Sequence, residues 1–245
     1  IDNFSETEIS CIIGLGGGSS LDVSKFVGHK LKKKKFLIPT TFGSGSEVTR
    51  IAVLNVNGKK TSFHDDAMLA DIAIVDSFFV HNTPSDIIKN SAIDACAQCS
   101  EGHDSKLSNP YTKFLCKTAF DILEKALLNE NYNLLPLGSL ISGLGFGNCS
   151  TTLGHALSYV FSNEGYSHGH ALAFTTQFAH KFNSSIFETR FKHIVETLEF
   201  KKIHLKQNLS DASELILQDH KHIDNNPVSI TKEQIQKILE AINSL

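Results

Sequence analysis

Short apolar runs bounded by glycine or proline mark the first third of the chain. Residues 10–15 predict a buried parallel strand, and residues 36–38, stopped by Pro39, predict a second one. The segment 21–27 between them has helical periodicity, and a glycine-rich turn precedes it. Strand, turn, helix and strand in this order predict a βαβ unit. Further strands are predicted over residues 51–56 and 72–75, with a hairpin turn at Asn57-Gly58.

From about Pro84 onward the apolar positions recur at three- and four-residue spacing, which predicts helices. The predicted helices cover residues 87–99, 114–128, 137–146, 153–161, 171–182, 187–198 and 230–245. Thr231 is placed to cap the last of them. The pattern therefore predicts a partial, Rossmann-like α/β nucleotide-binding domain over residues 1–83, followed by an all-α domain over residues 84–245.

The composition is ordinary for a globular protein, with 41% hydrophobic and 20% charged residues among 245. The net charge of −3 gives no reason to expect nucleic acid or an anionic membrane as a partner. No apolar run is long enough to span a bilayer, and the basic stretch at residues 30–35 is interpreted as a solvated helix end. Five scattered cysteines do not form a disulfide pattern, which favours a cytoplasmic location.

Two loops near the predicted strands suggest nucleotide chemistry. Three glycines at 16–18 follow the first strand, so a pyrophosphate could approach the backbone and the N–H groups of the next helix. Neither a Walker A motif nor a strict GxGxxG motif is present, and a turn without a ligand explains this loop equally well. The second loop, residues 40–49, carries hydroxyls and glycines that could cover phosphates or ribose; the alternative is a helix-capping loop.

Four side chains in the helical part form a candidate metal site. Asp94 and Gln98 are four residues apart and therefore share one helix face. His155 and His168, with twelve residues between them, bracket an apolar helix. A carboxylate, an amide oxygen and two imidazoles suit Zn²⁺ or Fe²⁺. The alternative is a pair of histidines that are merely hydrogen-bonded within a helical core.

The motifs, taken in order, resemble those of the iron-containing (group III) alcohol dehydrogenases. The matching segments are Gly16 to Ser19 with Asp22, Ile38 to Thr41, Gly43 to Thr49, Asp76, Ile93 to Glu101, Gly154 to Ala156, Ser167 to His170 and Asn226-Pro227. The resemblance covers nearly the whole chain. It implies a dehydroquinate synthase-like architecture, a hydride transfer between NAD or NADP and a small alcohol or aldehyde, and a homodimer.

The resemblance also implies a role for individual residues. Residues expected to contact the cofactor diphosphate are Gly17, Gly18, Ser19 and Asp22, and those expected to line the cofactor cleft are Thr40, Thr41 and Ser44. Lys60 resembles the family lysine near the nicotinamide, with Lys59 as the competing alignment. Asp94, His155 and His168 would hold Fe²⁺ or Zn²⁺. His170 and Tyr159, close by in sequence, are candidates for the catalytic proton route.

Two departures from the family pattern leave alternatives open. Gln98 stands where the family has a histidine ligand, a feature similar to the phosphonoacetaldehyde-reductase-like branch. The chain also reaches its first strand almost at once, so we expect the natural protein to begin earlier, with a βαβ unit that completes the cofactor site. A catalytically degenerate paralogue with a binding or structural role is the alternative function. Glycerol dehydrogenases and dehydroquinate synthases are a further alternative within the superfamily.

Overall fold

A small parallel sheet forms the first part of the structure. The computed structural model describes residues 8–56 and 59–245, with only the backbone of residues 59 and 60. Strand β1 (Cys11–Gly16), helix α1 (Gly18–Lys30) and strand β2 (Lys34–Pro39) form a βαβ unit, with β1 and β2 parallel along their whole length. Strand β5 (Ile72–Ala73) pairs in parallel with the other side of β2. The predicted βαβ unit is confirmed.

A separate antiparallel hairpin extends from this sheet region. It consists of β3 (Ile51–Val56) and β4 (Lys59–His64). The predicted turn at Asn57-Gly58 lies outside the described residues. The backbone of Lys60 pairs with Asn55, but its side chain is also outside the described part, so its predicted place near the nicotinamide stays a prediction.

Ten α-helices are described, and nine of them follow the strands. After α1 they are α2 (Ser85–Asp104), α3 (Pro110–Leu128), α4 (Leu135–Phe146), α5 (Leu153–Asn163), α6 (His168–Asn183), α7 (Glu188–Thr197), α8 (Leu209–Leu217), α9 (His220–Ile223) and α10 (Lys232–Asn243). Thr231 caps α10 in a capping box with Gln234, as the sequence predicts. Helices α8 and α9 were not predicted. No described helix is both long and apolar enough to cross a membrane.

Helix α2 is the central element, because it packs against α3, α4, α5 and α6. Its residues 92–102 are buried apart from Asp94, which is half-buried. Two glycines permit close backbone contacts with its first turns. A Cβ atom at Gly43 would lie 2.3 Å from the carbonyl oxygen of Ser91, and one at Gly169 would lie 1.9 Å from that of Asn90. The loop after β2 and the start of α6 are therefore fixed against the same helix.

Candidate metal and cofactor sites

Three predicted ligands converge at one point in the helical part. Asp94 projects from α2, His155 from the first turn of α5, and His168 from the first residue of α6. Asp94 Oδ1 lies 3.7 Å from His155 Nε2 and 3.8 Å from His168 Nε2, and all three ligand atoms lie within 4.8 Å of one another. Two imidazoles and a carboxylate at this separation can share one divalent ion, since their bonds to such an ion are about 2.1 Å long.

A buried carboxylate fixes the orientation of His155. Glu101, two turns beyond Asp94 on α2, accepts a hydrogen bond from His155 Nδ1 through Oε2 and one from Thr152 Oγ1 at 3.0 Å through Oε1. The backbone N–H of Gly154 also donates to Oε1. A ligand histidine with its second nitrogen on a carboxylate is the usual outer arrangement of a protein metal site. Glu101 therefore leaves Nε2 of His155 free to face the ion.

The pKa values of this pair move in opposite directions. Burial alone would raise the pKa of Glu101, but the charge and hydrogen bond of His155 lower it to about 2. Burial alone would lower the pKa of His155, but Glu101 and Asp94 raise it to about 9. In the metal-free protein the pair is therefore a carboxylate and an imidazolium, so a metal ion must displace a proton from His155.

Gln98 lies beside this cluster. Its Nε2 atom donates a hydrogen bond of 3.0 Å to Asp94 Oδ1. Its Oε1 atom is buried and has no hydrogen-bond partner among the described residues. The structure thus brings all four predicted metal-site residues together.

The predicted Tyr159, together with His222 and Asp219, which the sequence analysis missed, completes the surroundings. Tyr159 stacks on His168 with ring centroids 6.1 Å apart, and the buried His222 stacks on His155 at the same separation. His222 Nδ1 bonds Asp219 Oδ2 at 2.7 Å. Burial lowers the pKa of His222 and raises that of Tyr159, so the first is a neutral imidazole and the second a protonated phenol.

His170 lies elsewhere, although it is only two residues from His168. Its Nε2 atom contacts the carbonyl oxygen of Lys201, and its ring packs among Tyr166, Phe174 and Phe200. Residues two apart on a helix point in different directions. The structure therefore gives His170 a packing role and does not support its predicted place on a proton route.

The glycine-rich turn meets the second loop at the start of α1. Gly17 is the N-cap residue, and it has no side chain to cap the helix. A Cβ atom at Gly17 would lie 3.1 Å from Thr41 Oγ1, and one at Gly18 would lie 2.7 Å from Ser44 Oγ. The hydroxyls of Thr41 and Ser44 thus lie close to the start of α1, whose first N–H groups are suited to bind a phosphate. Beside them, Ser19 is exposed and Thr40 is half-buried.

The carboxylate of Asp22 stabilises the loop at residues 40–49 and its surroundings. Ser46 Oγ donates to its Oδ1 at 2.6 Å, the N–H of Val53 donates to its Oδ2 at 3.0 Å, and the ammonium of Lys25 lies 3.2 Å away. Lys25 is fully buried and also donates to the carbonyl oxygens of Thr49 and Ile51. A carboxylate that is engaged in this way, and that would repel a diphosphate, positions the loop. The direct diphosphate contact expected for Asp22 stays a prediction.

Two family models together match most of the chain. The model of the iron-containing alcohol dehydrogenases matches residues 1–77, and that of the C-terminal part of the Fe-containing alcohol dehydrogenase family matches residues 88–218, more than half of the chain. This chain belongs to the iron-containing alcohol dehydrogenase family. The resemblance predicted from the sequence motifs is therefore confirmed.

Several curated proteins are similar in sequence to this chain. Long-chain-alcohol dehydrogenase 1 of Geobacillus thermodenitrificans is 32% identical over 192 residues, which are 66% of this chain and 49% of the relative. The 4-hydroxybutyrate dehydrogenase of Clostridium kluyveri is 27% identical over 200 residues, 70% of this chain and 54% of the relative. The sulfoacetaldehyde reductase of Bilophila wadsworthia is 29% identical over 201 residues, 70% of this chain and 52% of the relative. The chain thus spans about half the length of the curated relatives it matches.

Solved structures share the fold. An iron-containing alcohol dehydrogenase of Thermococcus thioreducens superimposes with a TM-score of 0.91 at 20% identity, covering 99% of this chain and 80% of its own. The sulfoacetaldehyde reductase of Bifidobacterium kashiwanohense, solved with NAD⁺, superimposes with a TM-score of 0.87 at 23% identity, covering 99% and 78%. The predicted architecture, a Rossmann-like α/β part followed by a helical part, is confirmed.

Proposed function

We propose that this protein transfers a hydride between a nicotinamide cofactor and a small alcohol or aldehyde, with one divalent metal ion held by Asp94, His155 and His168. The observation that carries the proposal is the convergence of three ligand atoms within 4.8 Å, backed by the buried Glu101. The donor set suits Fe²⁺ or Zn²⁺. When bound, such an ion polarises the substrate oxygen as a Lewis acid.

The cofactor, NAD or NADP, would lie along the start of α1. Its diphosphate would receive hydrogen bonds from the N–H groups of Gly18 and Ser19, with Gly17 allowing close approach and the hydroxyls of Thr41 and Ser44 opposite. Thr40 would extend this wall and Lys60 would reach the nicotinamide end. Family membership and the fold shared with the NAD⁺-bound sulfoacetaldehyde reductase support this placement.

Tyr159 and His222 would serve the substrate side of the metal site. Their rings stack on the two ligand histidines and therefore border the metal site. Asp219 accepts the Nδ1 proton of His222, which leaves the Nε2 lone pair to hold a proton from the substrate hydroxyl. The phenol of Tyr159 remains protonated and is a hydrogen-bond donor. We therefore place the proton route through His222 and Tyr159 and leave His170 out of it.

The substrate would carry an anionic group. Lys221 Nζ lies 3.4 Å from His64 Nε2, and the charge of Asp219, whose carboxylate bonds His222, acts on this ammonium. The pKa of His222 is lowered mainly by burial and also by the charge of Lys221, so this positive charge lies near the metal site. Two relatives are named for substrates that contain an anionic group, 4-hydroxybutyrate and sulfoacetaldehyde. Lys221→Met is expected to raise KM for such substrates without changing kcat for an uncharged aldehyde.

The first experiment measures metal content and turnover together. The protein is reconstituted anaerobically with Fe²⁺ or Zn²⁺ and compared with Asp94→Ala and His168→Ala. We expect the wild type to bind about one metal ion per chain and both variants to lose it. We also expect the reconstituted wild type to oxidise NADH or NADPH with charged and uncharged aldehydes. Absence of a specifically bound metal in the folded protein would refute the proposal and favour a non-catalytic paralogue. The homodimer and the cytoplasmic location stay predictions.

A further inference from the structure

The amide of Gln98 is unusual in having one satisfied end and one unsatisfied end. Its Nε2 atom donates to Asp94 Oδ1, the same oxygen that faces His155 Nε2 and His168 Nε2. Its Oε1 atom is buried without a partner among the described residues. A buried, unpaired amide oxygen costs about 1–3 kcal/mol, so native proteins rarely retain one without an ordered water, a ligand or an ion as its partner.

The hydrogen bond to Asp94 distinguishes the nitrogen from the oxygen of the Gln98 amide. With the two ends exchanged, Oε1 would face the carboxylate oxygen of Asp94, and two acceptors would be in contact. Because both amide ends share one carbon atom, Oε1 lies one amide width from the nitrogen that contacts Asp94. Gln98 thus holds Asp94 with its donor and has a buried, unpaired neutral oxygen at the other end of the same amide.

We propose that Gln98 Oε1 is the fourth protein ligand and that it shifts the metal preference of the site away from Zn²⁺, toward Mn²⁺. The inference rests on the proposed metal site. Imidazole suits Zn²⁺ and Fe²⁺, whereas carbonyl and carboxylate oxygens suit harder ions such as Mn²⁺. With Gln98, the site has two nitrogen and two oxygen donors; a histidine at this position would give three nitrogens and one oxygen. The Nε2–H bond to Asp94 keeps the amide oriented when the ion is bound.

Equilibrium metal binding tests the inference without measuring turnover. Dissociation constants for Mn²⁺, Fe²⁺ and Zn²⁺ are measured anaerobically by chelator competition for the wild type, Gln98→Leu and Gln98→His. Gln98→Leu is expected to lose affinity for all three ions by at least about tenfold, since even residues outside the ligand set cost 10–100-fold. Gln98→His is expected to raise the affinity for Zn²⁺ relative to Mn²⁺ by about tenfold.

A spectroscopic measurement separates a ligand from a residue that only orients Asp94. The visible absorption of Co²⁺ bound to Gln98→Leu should differ in band position and intensity from that of the wild type, because the coordination shell changes. Gln177→Leu is the matched control, since its amide donates to Ala173 on α6. This control should behave as wild type. Thermal unfolding of each metal-free variant shows whether it is folded.

The outcomes distinguish this inference from the proposed function. If Gln98→Leu, folded, binds all three ions as the wild type does, or loses affinity while the Co²⁺ spectrum is unchanged, Gln98 is not a ligand. If the Zn²⁺ to Mn²⁺ ratio is the same in Gln98→His, the proposed metal preference is wrong. In either case the wild type would still bind metal. If the wild type binds no metal, the proposed function itself fails.

Discussion

The substitution Glu101→Gln tests whether a buried carboxylate keeps the metal site assembled. The glutamine has nearly the same shape, so the main loss is the charge that pairs with His155. Its amide oxygen can still accept from Gly154 and Thr152. A hydrogen bond to a charged group contributes about 1.5–3 kcal/mol, so the metal-free variant should lose about 2 kcal/mol of unfolding free energy at pH 6. For a chain of this size, that is a fall in Tm of about 4–8 °C.

The pH dependence gives this prediction a sign. His155 has its pKa raised from 6.5 to about 9, so its contribution is complete below pH 6.5 and is lost as the pH rises through 9. Glu101 has its pKa lowered from 4.5 to about 2, so its contribution is complete above pH 4.5 and is lost as the pH falls through 2. The difference between wild type and variant should therefore be largest between pH 4.5 and 6.5.

Urea unfolding of the metal-free proteins across this pH range measures the difference. Chelator competition should show a 10–100-fold weaker metal affinity in the variant, because an outer carboxylate has been lost. Glu196→Gln, which breaks an exposed pair with Lys192, is the matched control and should change stability by less than about 0.5 kcal/mol. Equal stability and equal metal affinity of Glu101→Gln and wild type would refute the reasoning.

Three further predictions concern other parts of the structure. Metal binding at pH 7 should release about one proton per chain, because His155, with its pKa raised to about 9, is protonated beforehand. Calorimetry in buffers of different ionisation enthalpy counts the released protons. Zero release would contradict the charged pair of His155 and Glu101. Gly43→Ala should destabilise the protein by about 1–3 kcal/mol in urea unfolding, because its Cβ would lie 2.3 Å from the carbonyl oxygen of Ser91. An unchanged unfolding midpoint would show that the backbone moves apart there at no cost. Lys25→Met should cost about 3–5 kcal/mol in the same assay, since it leaves Asp22 without its buried partner; a smaller loss would mean that water replaces the ammonium.

The sequence predicted most of the fold because most elements are long enough to show a period. The βαβ unit, the hairpin strands and the main helices follow apolar spacing and turn residues. Helices α8 and α9 were missed because nine and four residues are too few for a clear helical repeat. Asn208, which caps α8 through its side chain, was the local signal that could have found the first of them.

The site was predictable where its geometry is local and was missed where it depends on packing. Asp94 and Gln98 share a face of one helix, so their spacing places them together. His222 reaches His155 only because α9 packs against α5, which no spacing along the chain reveals. His170 illustrates the opposite error, because closeness in sequence to His168 suggested a shared site that the helix geometry separates.

Helix α2 has a consequence for how such a chain can change over generations. Its residues Asn90 and Ser91 are fixed against two glycines, and Asp94 follows about 4.5 Å further along the axis, at 1.5 Å per residue. A one-residue insertion or deletion between Ser91 and Asp94 would rotate every later side chain by about 100° and remove the ligands from the cluster. A change in helix length there would therefore remove the metal ligands from the cluster, whereas side-chain replacements around the cleft would leave them in place.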